Sequence, residues 1–265
     1  MALTVRDAHV ALAAAIQDPI FGEDIVDGAR FSASLRNVYL YRAMMKIQSG
    51  ILMQVAPLPR EQANTVLYNI LPYMFTTKNI GQMNYLQTSS ANELEYFFTA
   101  GDEDPNSQYA GTFINMAKPM FFTLKRDINN FPESKSGVDT IKVPIVRYSE
   151  YAERVNAKHL QVSDPIATFV GTETPVTSVG ETYPTLVFKI FTANIYNAEE
   201  QYNHSNKSTL HFVRYPFKPD YINNPDLNLD FEPAYYEQIL REAAIMAFLD
   251  SDDIVNVEIL QGLMR

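Results

Sequence analysis

The sequence changes character twice, and these changes constrain the fold more than any other feature. Apolar side chains recur at helical spacing in residues 1–79 and again in residues 216–265. Residues 80–215 are instead rich in Thr, Tyr, Phe and Val, with frequent Asn, Pro and Gly, which is typical of short strands and turns. The chain is therefore predicted to be an α+β protein.

The order of these segments predicts how they pack. An amphipathic helix must cover its apolar face, and consecutive elements tend to lie close together. We therefore expect N-terminal helices and a C-terminal helix to form a bundle with a long inserted β-rich domain. The predicted domains are residues 1–79, the N-terminal part of the bundle; residues 80–215, the inserted domain; and residues 216–265, a connection, the last bundle helix and a docking tail.

Local signals set the ends of the predicted helices. Thr4 is an N-cap with Asp7 three residues later, and this first helix is predicted to run to about Gln17. It stops at Asp18-Pro19, because a residue before proline avoids the α region. The further helices are predicted at residues 32–48, 59–70 and 233–249. The second of the four is apolar on most sides, which predicts that its own bundle or a neighbouring subunit covers it.

The middle of the chain contains short β-type runs. Strands are predicted at Phe121–Leu124, Ile141–Val146 and Thr185–Thr192, because these runs are rich in aromatic and β-branched residues. An extended aromatic run follows at Leu210–Pro216. One or two helical turns are predicted at Ser149–Asn156.

Composition excludes several classes of protein. The chain has no Cys, so it holds neither disulfides nor thiolate metal sites. No apolar run approaches the ~20 residues that span a bilayer, and the opening residues lack the pattern of a signal peptide. We expect a protein that is cytosolic, or assembled in the cytosol, and that does not contact a membrane.

The net charge of −10 is concentrated at the C-terminal end. Residues 216–265 carry three basic and ten acidic side chains. A protein that grips nucleic acid must neutralise phosphates with Lys and Arg, so we expect no specific DNA binding. An acidic wall would still let a duplex slide past without sticking, and an acidic surface that only keeps the protein soluble is the alternative.

No catalytic or cofactor motif is present. The chain lacks G-x-G-x-x-G, a P-loop, H-E-x-x-H and G-x-S-x-G. Its four histidines, His9, His159, His204 and His211, are isolated in sequence, and His9 and His211 are interpreted as hydrogen-bonded structural residues. We expect no enzyme and no cofactor; a dispersed pair of carboxylates, as glycosidases use, is the enzymatic alternative.

Two acidic clusters contain the carboxylates that metal sites use. Asp102-Glu103-Asp104 could bind a hard cation, but a solvated loop is the preferred interpretation. Asp250-Ser251-Asp252-Asp253 begins like a calcium loop, yet Ile254 occupies the next ligand position and the expected glycine is missing. This cluster is interpreted as a helix terminator, and no metal site is predicted.

Three stretches resemble a known family. Residues 27–43 contain the pattern D-G-x-R-F-S-x-x-x-R-x-x-Y-L-x-x-A, which resembles the start of the second helix in tailed-phage neck proteins of the head-to-tail adaptor kind. The run Leu210–Pro216 is similar to the late aromatic strand ending in Tyr-Pro in that group. The predicted helix at residues 233–249 matches the element that comes next there. Together these stretches cover about 40 of the 265 residues.

This resemblance implies a structural virion protein without catalysis. It implies a homo-oligomeric ring of about twelve copies, assembled in the host cytoplasm, that stacks on the portal protein and contacts other neck or tail proteins. DNA would pass through the lumen without specific binding. The long central β region departs from the smaller helical adaptors, so the position of the ring in the neck or tail stays open.

Two sets of residues are candidates for contacts between subunits. Arg30, Arg36 and Arg42 could pair bidentately with carboxylates of a neighbour, and ordinary surface salt bridges are the alternative. The tail from Ile254 to Arg265 has an apolar face that is too short to be a stable helix alone. We expect this tail to dock on an adjacent subunit or the portal, or to fold back on its own domain. Its apolar residues are Ile259, Leu260, Leu263 and Met264.

A different class of function stays open beside the neck ring. The chain could be a virion or surface binding module whose inserted β domain recognises a receptor or a glycan.

Overall fold

The computed structural model of the protein describes residues 3–18, 20–21, 24–25, 29–80, 85–87, 93–100, 113–114, 116–127, 138–156, 166–173, 185–191, 208–251, 256–257 and 259. The predicted mixture of α and β structure is confirmed. The helices of the described residues are α1 (Val5–Ala15), α2 (Ala33–Val55), α3 (Arg60–Ile70), α4 (Tyr148–Asn156) and α5 (Tyr236–Asp250). The strands are β1 (Ile20–Phe21), β2 (Asp24–Ile25), β3 (Phe75–Ile80), β4 (Tyr85–Gln87), β5 (Glu93–Ala100), β6 (Phe113–Ile114), β7 (Met116–Asp127), β8 (Val138–Val146), β9 (Ile166–Glu173), β10 (Thr185–Phe191) and β11 (Ser208–Arg214).

The chain divides into two compact units. The first unit comprises Met1–Met74 with Tyr215–Arg265, and the second comprises Phe75–Arg214. The boundaries predicted from the sequence were 79/80 and 215/216. The first boundary lies five residues earlier because residues 75–80 form β3, which pairs antiparallel with β11 and so belongs to the sheet.

The start of α1 is fully capped. Thr4 Oγ1 accepts a hydrogen bond from the backbone N–H of Asp7, and the Asp7 carboxylate accepts one from Thr4 N–H, as the sequence predicted. The two donors ahead of Asp7 bond to a distant part of the chain: Val5 N–H to the Leu227 carbonyl and Arg6 N–H to the Pro225 carbonyl, both at 2.8 Å. Every backbone N–H of the first turn therefore has a hydrogen-bond acceptor, and the segment 225–229 is hydrogen-bonded to the start of α1.

The end of α1 is a Schellman motif. The helix ends at Ala15, and Gln17 follows with a φ of 56°, a left-handed conformation usually taken by glycine. Asp18 N–H donates to the Ala13 carbonyl at 2.9 Å and Gln17 N–H to the Ala14 carbonyl at 3.3 Å. The predicted end near Gln17 is therefore two residues too late, and this turn sets the position of Asp18.

Helix α2 is longer than predicted. Ser32 caps it, since its Oγ accepts from Leu35 N–H at 3.2 Å, but the helix runs to Val55 rather than to Gln48. The buried side chains of Ile51 and Val55 continue the apolar face for two more turns, past Gly50. Tertiary packing here outweighs the low helix propensity of one glycine.

The described strands of the second unit form one nine-stranded sheet. The strand order is β3-β11-β7-β8-β9-β10-β5-β4, with β6 beside β5. The pairings are antiparallel except for β5–β6 and β8–β9. Helix α4 connects the parallel strands β8 and β9 as a crossover. The core of the sheet includes Phe122, Val143, Phe188, Ile190 and Leu210.

The predicted strands Phe121–Leu124 and Ile141–Val146 lie within β7 and β8, and the predicted turns at Ser149–Asn156 lie within α4. The predicted run Leu210–Pro216 extends two residues beyond the end of β11, and Thr185–Thr192 corresponds to β10 except for Thr192, which lies outside the described residues. The other strands were not predicted. Gly171 in β9 has a φ of 152° beside a register shift opposite Val187 and Phe188, so it forms a bulge that glycine favours.

Candidate functional site

A buried ion pair joins the end of α1 to α2. Arg36 Nη2 donates to Asp18 Oδ2 at 2.6 Å, and both side chains are buried. The same carboxylate accepts backbone N–H bonds from Arg30 at 2.8 Å and Phe31 at 3.0 Å. Asp18 therefore organises the residues that lead into α2, and it is the partner that sequence analysis missed for Arg36.

The three predicted interface arginines have different environments. Arg36 is buried against Asp18, so the isolated chain does not present its guanidinium to another molecule. Arg30 is exposed; its guanidinium lies 5.4 Å from the centre of the Phe31 ring and donates to the Ser251 carbonyl at 3.4 Å. Arg42 is exposed on α2, and no ion pair joins it to any other residue that the structure describes. The structure does not bring the three together at one surface.

His9 links α1, α2 and the residues after β11. His9 Nε2 lies 2.7 Å from Asn37 Oδ1, which also accepts the backbone N–H of Tyr221 at 3.3 Å. The His9 and Tyr221 rings stack with their centres 4.6 Å apart. Burial lowers the pKa of His9 to about 4, opposed by the Asn37 hydrogen bond and assisted by the nearby charge of Arg36. The prediction that His9 is a hydrogen-bonded structural histidine is confirmed.

Helix α5 packs antiparallel to α2 through two polar links. Tyr39 Oη donates to Asp250 Oδ2 at 2.8 Å, and Lys46 Nζ lies 2.6 Å from Glu242 Oε2. The two links are about two turns apart on each helix and occur in opposite order along α2 and α5, as antiparallel packing requires. Burial, followed by the Asp250 hydrogen bond, raises the pKa of Tyr39 to about 12. The α2 side chains between these links are held in one register.

One side of α2 remains exposed, and we call it the α2 stripe. It comprises Leu35, Val38, Arg42 and Met53, spaced so that they lie on one side of the helix. Met53 is 75% exposed. The stripe spans 18 residues, about 27 Å of helix. It combines apolar side chains with a basic one, and Met and Arg are among the side chains enriched at protein interfaces.

A second exposed surface lies on residues 215–232, which we call the connecting segment. Phe217, Ile222 and Leu227 are 60%, 65% and 60% exposed. The segment is nevertheless ordered by its own carboxylates. Asp220 accepts the backbone N–H groups of Ile222 and Asn223, both at 3.1 Å. The hydrogen bond from the Asn223 side chain, followed by these backbone bonds, lowers the pKa of Asp220.

A cleft of about 340 Å³ lies at the base of the connecting segment. Its apolar lining comes from Val5, Phe217 and Leu227, and its charged lining includes Lys218 and Asp230. Asp230 Oδ2 accepts the Phe217 N–H at 2.6 Å, which closes the segment into a loop.

The predicted docking tail is described only in part. Residues 256, 257 and 259 are helical; Val257 is buried and Ile259 is 57% exposed. Leu260, Leu263 and Met264 lie outside the described residues, so their docking stays a prediction.

The second unit contains one further histidine of interest. His211 Nε2 lies 2.7 Å from Thr123 Oγ1, and its ring stacks on Phe121 with centres 4.4 Å apart. Burial lowers its pKa, and Lys142 adds to that effect. His211 is thus a structural residue of the sheet, as predicted.

The described residues offer no group of three or more His, Asp or Glu side chains suited to a metal ion. His159, His204, Asp102-Glu103-Asp104, Asp252 and Asp253 lie outside the described residues. Within the same limits, no helix has both the length and the apolar character to cross a bilayer.

No protein-family model matches the chain, and no curated protein matches it. The exposed surfaces described above are therefore the basis for proposing a function.

Proposed function

We propose that this chain is a structural subunit of a tailed-phage neck, a head-to-tail adaptor ring that stacks on the portal protein and forms part of the DNA conduit. In this proposal the helices of the first unit form a bundle and the second unit is a β-rich domain inserted into it. The ring has about twelve copies, assembles in the host cytoplasm and resides in the virion.

The observation that carries the proposal is the α2 stripe. Helix α2 is fixed by the ion pair from Arg36 to Asp18 at one end and by Lys46 and Glu242 farther along. A rigid helix that leaves apolar and basic side chains exposed along several turns supports a role in binding a neighbouring protein.

The pattern that resembles neck proteins has a structural role in this chain. The backbone N–H groups of Arg30 and Phe31 bind Asp18, Ser32 caps α2, Arg36 forms the buried ion pair, and Tyr39 bonds to α5. The resembling residues are therefore those that anchor α2. The part of the chain that resembles neck proteins is thus the part that positions the α2 stripe, and this supports the proposal.

The charge of the chain fits a conduit that DNA passes without binding. The net charge is −10, and ten of the 31 acidic side chains lie in residues 216–265. Duplex DNA carries about one negative charge per 1.7 Å, so an acidic lumen repels the phosphates and prevents adhesion.

The proposal is tested by mixing the purified chain with the portal protein of the same phage. Negative-stain images and density-gradient sedimentation would be recorded for the chain alone, the portal alone and the mixture. We expect rings of the chain, or an added layer on the portal that sediments with it. A chain that stays monomeric and never joins the portal would overturn the proposal, and glycan-array binding by that monomer would favour the receptor-binding alternative.

A further inference from the structure

Two segments of the first unit differ in charge. Residues 29–60, which contain α2, have five basic side chains and no acidic one, whereas residues 216–253 have two basic and nine acidic side chains. Some of these charges are neutralised within the chain, as in the pair of Lys46 with Glu242. Others remain exposed, including Arg42 on α2 and Asp226, whose side chain is 84% exposed although it lies 3.4 Å from Arg6.

One side of α2 contacts the connecting segment. Asn37 lies on the side of α2 that contacts the connecting segment, since its Oδ1 accepts the Tyr221 N–H at 3.3 Å. Arg42 lies five residues later and so about 140° farther around the helix. Arg42 therefore lies on a different side of α2 from the residue that bonds to Tyr221.

The α2 stripe and the connecting segment also both expose apolar side chains. Leu35, Val38 and Met53 are exposed beside Arg42 on α2, and Ile222 and Leu227 are exposed in the acidic connecting segment. A surface that is apolar and basic is complementary to one that is apolar and acidic.

We propose that the α2 stripe of one copy of this chain binds the connecting segment of the next copy, with Arg42 facing Asp226. This inference rests on the proposed function and deepens it. Contact between two different surfaces is head-to-tail, and such contacts close into a ring when the rotation per copy allows it.

Charge reversal tests this pairing. Arg42→Glu and Asp226→Lys each place like charges at the contact, whereas the double variant restores opposite charges with the positions exchanged. We expect each single change to raise the concentration needed for assembly by about tenfold and the double variant to return it to near the wild-type value. Sedimentation velocity would measure assembly, alone or on the portal, and circular dichroism would confirm folding.

Two controls separate this effect from others. Arg147→Glu makes the same charge change on an exposed residue of the second unit, and assembly should not change. Arg6→Gln removes the 3.4 Å contact between Arg6 and Asp226 without changing the acidic surface, and assembly should again persist. The pairing would be overturned if the wild-type chain forms rings and either single variant forms them equally well, or if the double variant does not restore assembly. Either result would leave the proposed ring itself standing. A wild-type chain that never assembles would overturn the proposed function as well.

Discussion

The carboxylate of Asp18 lies 2.6 Å from the guanidinium of Arg36, and both side chains are buried. Arg36 Nε and Nη1 have no hydrogen-bond partner among the described residues, so Asp18 is the principal compensation for the buried charge. Burying two charges is costly, and such a pair is sensitive to the loss of one partner.

Replacing Asp18 should therefore be strongly destabilising. Asp18→Asn keeps the shape of the side chain but leaves the Arg36 charge buried without a counter-ion, and we expect a loss of about 3 kcal/mol of unfolding free energy. Urea denaturation would measure the loss. Arg241→Gln is the matched control, because its pair with Glu237 is exposed and should cost less than about 0.5 kcal/mol. Equal effects of the two changes would contradict the role given to Asp18.

Replacing Gln17 by glycine should stabilise the protein. The φ of 56° at Gln17 strains any residue with a Cβ atom, and glycine should add about 1 kcal/mol to the unfolding free energy. Gln17→Ala keeps the Cβ atom and should leave stability nearly unchanged. Thermal unfolding of both variants would measure the change in unfolding free energy. An increase for Gln17→Ala equal to that for Gln17→Gly would show that backbone strain is not the cause.

The two partners of the link between α2 and α5 should respond differently to neutralisation. Glu242 is buried whereas Lys46 is more than half exposed. Lys46→Met leaves the buried Glu242 carboxylate without its partner and should lower the unfolding free energy by about 2 kcal/mol. Glu242→Gln leaves a lysine that water can solvate, so its loss of unfolding free energy should be smaller. Urea midpoints that rank the variants in the opposite order would contradict this assignment.

His9 should make the protein less stable in mild acid. The unfolded chain binds a proton on His9 near pKa 6.5, whereas the folded protein resists protonation until about pH 4. Between these values the unfolded state holds more protons, so stability falls as the pH falls. We expect His9 to contribute a loss of about 2 kcal/mol between about pH 7.5 and about pH 5.

The contribution of His9 is isolated by His9→Gln, which cannot titrate. The difference in urea-unfolding free energy between the two pH values should be smaller in this variant than in the wild type. Identical pH dependence in the two proteins would show that His9 is not held neutral by burial.

Two glycine positions should respond to alanine with opposite signs. A Cβ atom added at Gly50 meets nothing within 4 Å, so Gly50→Ala should stabilise helix α2 by about 1 kcal/mol. Gly171 has a φ of 152°, which alanine rarely adopts, so Gly171→Ala should be destabilising. Thermal unfolding that gave the same sign for both changes would contradict these backbone assignments.

Local chemistry made much of the helical structure predictable. Thr4 and Asp7 identified the start of α1, and Ser32 identified the start of α2, because caps are encoded within a few residues. The continuation of α2 past Gly50 was not predictable in this way, since it depends on burial of Ile51 and Val55 against other parts of the chain.

Long-range contacts account for what the sequence did not reveal. Nothing local connects Asp18 with Arg36 or His9 with Tyr221, because each pair forms only when separate elements pack. Arg36 resembled an interface residue for the same reason: its charge is visible in the sequence and its burial is not. The sheet order, with β3 beside β11, likewise depends on pairing between distant segments.

The most direct test of the central claim is the native mass of the assembled wild-type chain. Native mass spectrometry of the chain, alone and with portal protein, should give one dominant species at a fixed multiple of the 30.1 kDa chain mass, with twelve copies expected. A single closed stoichiometry would support a ring built from head-to-tail contacts. A monomer under every condition, with no mass added to the portal, would contradict the account.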